Sequence, residues 1–312
     1  MASQKDIKDR ISSVKNIYQI TRAMEMVAAA RLRKAQQRIE ILRPYADAVR
    51  RMTRQAVDAA DSIPDLPLLD EHDSIDRVGL LLVTGDRGLA GPFNSQIIRA
   101  GTTRGREIRR EEGREAVWFA SGKRGASSLS FRGLDLADSW SGFTDRPAYS
   151  DAREIAEGLI AQYTDGHVDR VEMFYNGFQS AMSQVVRHET LLPLQQADLV
   201  GEDDGDEDDD GNDDERIEDA EGRDQSRALW IYEPGPEEIL ERLAPDYVEI
   251  SIYRALLEST ASEHGARMTA MRSASDNASE LLDDLQLQAN RQRQADITQE
   301  LLEIVAGAEA LS

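Results

Sequence analysis

The sequence predicts an α/β domain set between two very long terminal helices, and three observations carry that prediction. Residues 3–60 contain no glycine and only Pro44, and residues 246–309 contain Gly265 and Gly307 but no proline. Both stretches repeat apolar residues at helical spacing. Between them the pattern shortens into apolar runs and helix-length segments punctuated by glycine, as strands and helices of one sheet require. With the ends helical, roughly 170 residues remain for a globular unit, enough for one core.

The first helix is expected within residues 1–62. Ile7, Ile11, Val14, Tyr18 and Thr21 form one row, and Ile17, Ile20, Met24 and Val27 form a second, so a wide buried face is expected. Met26 to Ala30 is small-sided and strongly helix-forming, which permits close approach of another helix; Arg31, Arg33, Lys34 and Arg38 ring the next turns. Pro44 removes a backbone donor and clashes with the preceding turn, so a kink or break is expected there. An unbroken run of this length would reach roughly 87 Å at 1.5 Å per residue. No small domain has a core that wide, so much of the face must meet another long helix or a partner.

Pro64, Pro67 and the acids from Asp65 to Asp76 mark a linker, and the domain is expected within residues 75–200. Val78 to Thr84 reads as a strand buried on both faces. It leads into a glycine-bearing turn, Gly85 to Asn94, and a helix from about Ser95 to Glu112. Ala116 to Ala120 reads as a strand, Gly122 to Gly125 as a turn, Ala152 to Tyr163 as a helix, Val168 to Phe174 as a strand and Ser183 to Leu192 as another. That alternation is of Rossmann-like type. Residues 201–227 break all patterning, and so charge-dense a run is expected to be a disordered loop. Glu237 to Leu243 reads as a short helix, and Pro245 as the first turn of a final helix over 245–312. There Ile297, Leu301, Ile304, Ala308 and Leu311 resume helical spacing, whereas Gln286 to Asp296 is polar nearly all round, as in a solvated helix or one inside a wet sleeve.

Charge is unevenly spread. The formal net charge is -22, and residues 202–224 alone hold fifteen acids against Arg216 and Arg223, a net of -13. Residues 1–55 carry a net of +8 and residues 246–312 a net of -7, which favours pairing of the two ends in an extended coiled coil. The 312 residues include no cysteine, which excludes disulfides, thiolate metal sites and thiol switches. The first ten residues are too polar for a signal peptide, and no apolar run approaches the ~18 residues of a membrane span. The chain is therefore expected to be cytosolic, or peripheral at most.

Catalytic signals are weak. Backbone N–H groups of Gly85 to Gly91 could cradle a phosphate, but the spacing matches neither a dinucleotide fingerprint nor an NTPase phosphate loop; tight strand-to-helix turning explains these glycines better. Asp206, Asp208, Asp210, Gly211, Asn212 and Asp214 imitate the start of a calcium loop, but Ile217 stands where a bidentate Glu is needed. His72, His167, His188 and His264 lack metal-ligand spacing. Basic residues on the first helix have few aromatics among them and face an acidic helix, so an interhelical and intersubunit surface is a better reading than nucleic-acid binding.

Ile11 to Gln36 closely resembles the N-terminal helix of the gamma subunit of rotary ATP synthases. Gly85-Asp-Arg-Gly-Leu-Ala-Gly91 resembles that family's loop after its first strand, with Ala90 where cysteine or another small residue is usual. Leu256 to Met271 and Asn290 to Gly307 resemble its C-terminal helix. Gly265 departs from the more usual alanine, and the acidic run is longer than the family's loop there. The cysteine-containing redox insert of chloroplast members and any transit peptide are missing, which points to a bacterial type.

What this resemblance implies is a non-catalytic rotor without cofactor. The two terminal helices would form an antiparallel coiled coil inside a hexamer of alpha and beta subunits. The Rossmann-like domain would sit below, against the membrane rotor ring of c subunits and the epsilon subunit, peripheral to the cytoplasmic face of the cell membrane. By family match, Met24 lies near the beta-subunit lever, Arg267 sits on the facing helix, and Gln294, Thr298 and Glu300 belong to the upper contact with the hexamer. Two alternatives stay open on the residues alone: a nucleotide-binding enzyme using Gly85 to Gly91, and a coiled-coil adaptor.

Overall fold

The computed structural model describes residues 4–59, 67–69, 72, 74–180, 183–194 and 235–309. The acidic run lies outside them. Helix α1 spans Gln4–Ala59, and the last helix, α5, spans Pro236–Glu309. Between them lie β1 (Arg77–Val83), α2 (Phe93–Arg110), β2 (Glu115–Ser121), α3 (Lys123–Phe131), β3 (Leu136–Trp140), α4 (Tyr149–Thr164), β4 (Arg170–Phe178) and β5 (Gln184–Leu192).

The strands form one mixed five-stranded sheet in the order β3-β2-β1-β4-β5. Neighbours from β3 to β4 are parallel, and β5 runs antiparallel to β4. The central strand β1 sets Leu81 between Phe119 and Met173. Side chains alternate across it, so Leu81 and Val83 enter one core while Val78, Leu80 and Leu82 enter the other. The first core is closed by Ile155 and Leu159 of α4 and by Val248, Ile252 and Leu256 of α5. The second is closed by Ile97 and Ile108 of α2 and Leu129 of α3. Sheet burial on both faces explains why β1 reads as a continuous apolar run.

Four expectations need correction. Helix α5 does not begin at Pro245; it runs from Pro236 through that proline. Leu240, Ala244 and Val248 form an apolar stripe across it, all buried, and docking of that stripe outweighs the lost backbone bond. Nor does Pro44 break α1. It lies on the exposed side, where water can reach the carbonyl its missing N–H leaves free. The wide buried face of α1 is narrower than expected: Ile7, Thr21, Ala28, Leu32 and Ala35 are buried, whereas Ile17, Ile20 and Val27 are more than half exposed. Finally, Gly122 to Gly125 is not a free turn, because Gly122 caps α3, and β3 follows it.

Helices α1 and α5 lie side by side and antiparallel. Thr21 Oγ1 accepts a 2.9 Å bond from Ser275 Oγ, Glu25 accepts one from Arg272 Nε at 2.9 Å, and Leu32 and Ala35 cluster with Ala261. As α1 numbers rise, their α5 partners fall. Carried to the start of α1, this register sets Gln4 level with about residue 292, so α5 overhangs by about 25 Å at 1.5 Å per residue.

Candidate functional site

Two regions carry the candidate residues: the seam where α5 meets the carboxyl ends of the strands, and the overhang. At the seam, β1 ends in Thr84 and the chain turns through Gly85 to Asn94 into α2. Asn94 holds the turn, its Oδ1 accepting the Gly85 N–H at 2.8 Å and its Nδ2 donating to the Arg87 carbonyl. The carboxylate of Asp86 accepts from Lys123 N at 3.0 Å, Gly142 N at 2.9 Å and both N–H and hydroxyl of Thr144. Lys123 is the first residue of α3, so Asp86 occupies the helix N-terminus that would otherwise attract a phosphate. The anion at this turn is the chain's own carboxylate.

Helix α5 locks onto the same turn. Arg267, buried, pairs with Glu263 one turn earlier and donates through Nη2 to the Gly88 carbonyl at 3.2 Å. Burial raises the Glu263 carboxyl, and Arg267 opposes that rise. Glu263 packs closely on Gly85: a Cβ there would stand 2.8 Å from the Glu263 carboxylate, which would have to shift. Burial lowers His264 to about 4, leaving it neutral between Arg267 and Asp145, which in turn pairs with Arg31 of α1. Three hydroxyls complete the lock: Thr260 donates to the Thr144 carbonyl at 2.9 Å, Ser262 to that of Asn176 at 3.1 Å, and Ser259 to that of Val83 at 3.5 Å. Sequence reasoning missed them. The available signal was Ser259-Thr260-Ala261-Ser262, a run of hydroxyl residues flanked by Glu258, Glu263 and His264.

The five residues carried over from the family do not converge. Met24 is half-buried in the helix seam, beside Glu25, whose carboxyl Arg272 and Arg22 hold below its usual range. Arg267 belongs to the opposite helix but to another level: the partner at the Met24 level is Arg272, and Arg267 turns to the hub loop. Gln294, Thr298 and Glu300 are exposed on the overhang, about 40 to 50 Å from Arg267 by helical rise. Thr298 Oγ1 donates to the Gln294 carbonyl of its own helix, at 2.8 Å. Around them Ile297, Leu301, Leu302, Ile304 and Val305 are each about half exposed or more.

A hub clamped to a two-helix shaft by buried polar bonds, with an apolar tip left uncovered among the described residues, defines a stalk-type protein. The family model described as ATP synthase matches residues 3–311. An ATP synthase gamma chain of Rubrobacter xylanophilus is 42% identical over 312 residues, covering 100% of this chain and 99% of its own. One of Moorella thermoacetica is 42% identical over 311 residues and is covered completely. The chain belongs to the ATP synthase gamma chain family. Among solved structures, a chain of the Tetrahymena thermophila mitochondrial ATP synthase central stalk and c-ring is 27% identical, with a TM-score of 0.56 over 82% of this chain and 99% of that one. A Euglena gracilis mitochondrial ATP synthase chain, 18% identical over 99% of this chain and 94% of its own, shares the fold at a TM-score of 0.65.

Proposed function

We propose that the chain is the central-stalk rotor of an ATP synthase, a non-catalytic subunit that couples proton-driven rotation to ATP synthesis in a hexamer of alpha and beta subunits. The observation that carries this reading is the lock at the seam. Its polar side chains join hub to shaft, and the glycine-bearing loop at the end of β1 is filled by Asp86. That use of polar groups suits torque transmission, in which hub and shaft must turn together, and it disfavours the nucleotide-binding alternative. The relatives' name supports the same reading, as does the central-stalk assignment of the Tetrahymena chain.

In this reading residues 1–62 and 245–312 supply an antiparallel coiled coil, extended at its root by the turns from Pro236, while residues 75–200 form a Rossmann-like hub; residues 201–227 lie outside the described residues. The partners are alpha and beta around the shaft, with epsilon and the c-subunit ring at the hub. Met24 and Arg267 act at the lever and root, and Gln294, Thr298 and Glu300 at the upper contact. Among the described residues no helix is long and apolar enough to cross a membrane, in keeping with a peripheral position at the cytoplasmic face of the cell membrane. The test is reconstitution with alpha and beta: one chain per hexamer should be required for coupled synthesis. ATP turnover by the chain alone, lost on changing Asp86, would overturn the proposal.

A further inference from the structure

A cleft of about 250 Å³ opens where α1, α5 and the segment after β3 meet. Its walls carry Arg31, Lys34 and Arg38 from successive turns of α1 and Arg146 from the segment between β3 and α4, against a single carboxylate, Asp145. Asp145 is already taken by Arg31. Among the described residues Lys34, Arg38 and Arg146 form no ion pair, although the chain carries 59 acids. Like charges three and four residues apart oppose helix formation, and the fold adds a fourth cation from a different element. His264, which also lines the cleft, is neutral and adds no charge of its own. The space is far larger than the 10–15 Å³ that one water needs, so this is an open receptor rather than a packing defect.

We propose that this cleft is a binding site for a phosphate-class oxyanion, inorganic phosphate or the phosphoryl chain of a nucleotide, which bridges the shaft to the hub. Guanidinium forks and an ammonium lining one cleft from two elements match a tetrahedral oxyanion with several acceptor oxygens, and such charge-assisted bonds are the strong ones. The site is separate from the Gly85 to Gly91 turn, where Asp86 excludes an anion. A bound oxyanion would tie Arg146 to α1, beside the Arg31 to Asp145 pair. Longer phosphoryl chains reach more of the cations, so affinity should rise from phosphate to tripolyphosphate.

The test is titration calorimetry of the full chain at low ionic strength with phosphate, tripolyphosphate, ATP and adenosine. Saturable binding of one tripolyphosphate per chain is expected, with phosphate weaker and adenosine silent. ATP binding near the tripolyphosphate value would assign the phosphoryl tail as the natural ligand, and phosphate alone would assign the inorganic ion. Lys34→Ala combined with Arg146→Ala, both exposed positions whose loss leaves the core intact, should weaken binding at least about tenfold. Arg99→Ala with Arg106→Ala on α2 should leave it unchanged. Equal weakening by both pairs, no saturable binding to the folded chain, or a Glu-rich peptide held at the cleft that tripolyphosphate fails to displace would each overturn the proposal.

Discussion

At the scale of single residues, the seam depends on pairings that tolerate little change. Arg267 compensates a buried carboxylate, so Arg267→Ala leaves Glu263 buried without its cation, to stay charged alone or take up a proton, at a cost of up to about 3–5 kcal/mol, and Glu263→Gln in the same background should restore much of it. Denaturant unfolding of the three variants checks this; equal stability of the single and double variants would show that Arg267 acts by packing alone. Gly122 has φ +98°, and a Cβ there would fall 2.1 Å from the Thr84 carbonyl oxygen. Backbone cannot give way as a side-chain tip can, so Gly122→Ala should cost about 3 kcal/mol or more in the same assay. His264 makes the seam sensitive to acid. Its folded pKa of about 4 lies below the ordinary 6.5, so its neutral form contributes fully above pH 6.5 and that contribution is lost as pH falls toward 4. Melting temperature followed over that interval should decline less steeply for His264→Gln than for the natural chain.

At the scale of elements, the overhang of α5 presents apolar side chains with no cover among the described residues. Ile297→Ser with Leu301→Ser should therefore change the stability of the isolated chain by no more than about 0.5 kcal/mol, as surface substitutions do, while weakening its capture by an alpha–beta hexamer. A matching loss of stability would mean that the tip folds back on its own chain. The long helices were legible in the sequence because their periodicity persists over many turns. Elements α3 and β3 were not. Leu136 to Trp140 buries only Trp140, with its middle exposed, so it carries no strand alternation; α3 buries only Gly125 and Leu129, too few to show a stripe. The root of α5 was misread because proline chemistry argues for a boundary, whereas docking of Leu240 to Val248 in the hub core decides otherwise. The seam lock was hidden for a related reason: Arg267 binds a carbonyl 179 positions away, and no local pattern encodes that contact.

At the scale of the whole molecule, hub and shaft should behave as one body. Thr21 and Ser275 face each other with hydroxyl oxygens 2.9 Å apart in a chain without cysteine, which makes Thr21→Cys with Ser275→Cys a clean cross-link. If the helix pair turns as a unit, oxidation should leave ATP synthesis by the assembled complex near its reduced level. Reversible loss on oxidation would show that the helices must slide past each other during the cycle. The unequal length of the two helices has a mechanical side as well. The shaft is two helices thick at the root and one thick at the tip, and resistance to twisting falls steeply with cross-section. Load applied along it is therefore taken up unevenly, with elastic strain gathering in the slender end while the root, braced by the sheet, turns almost rigidly. The taper makes the chain a stiff axle in series with a soft torsion spring.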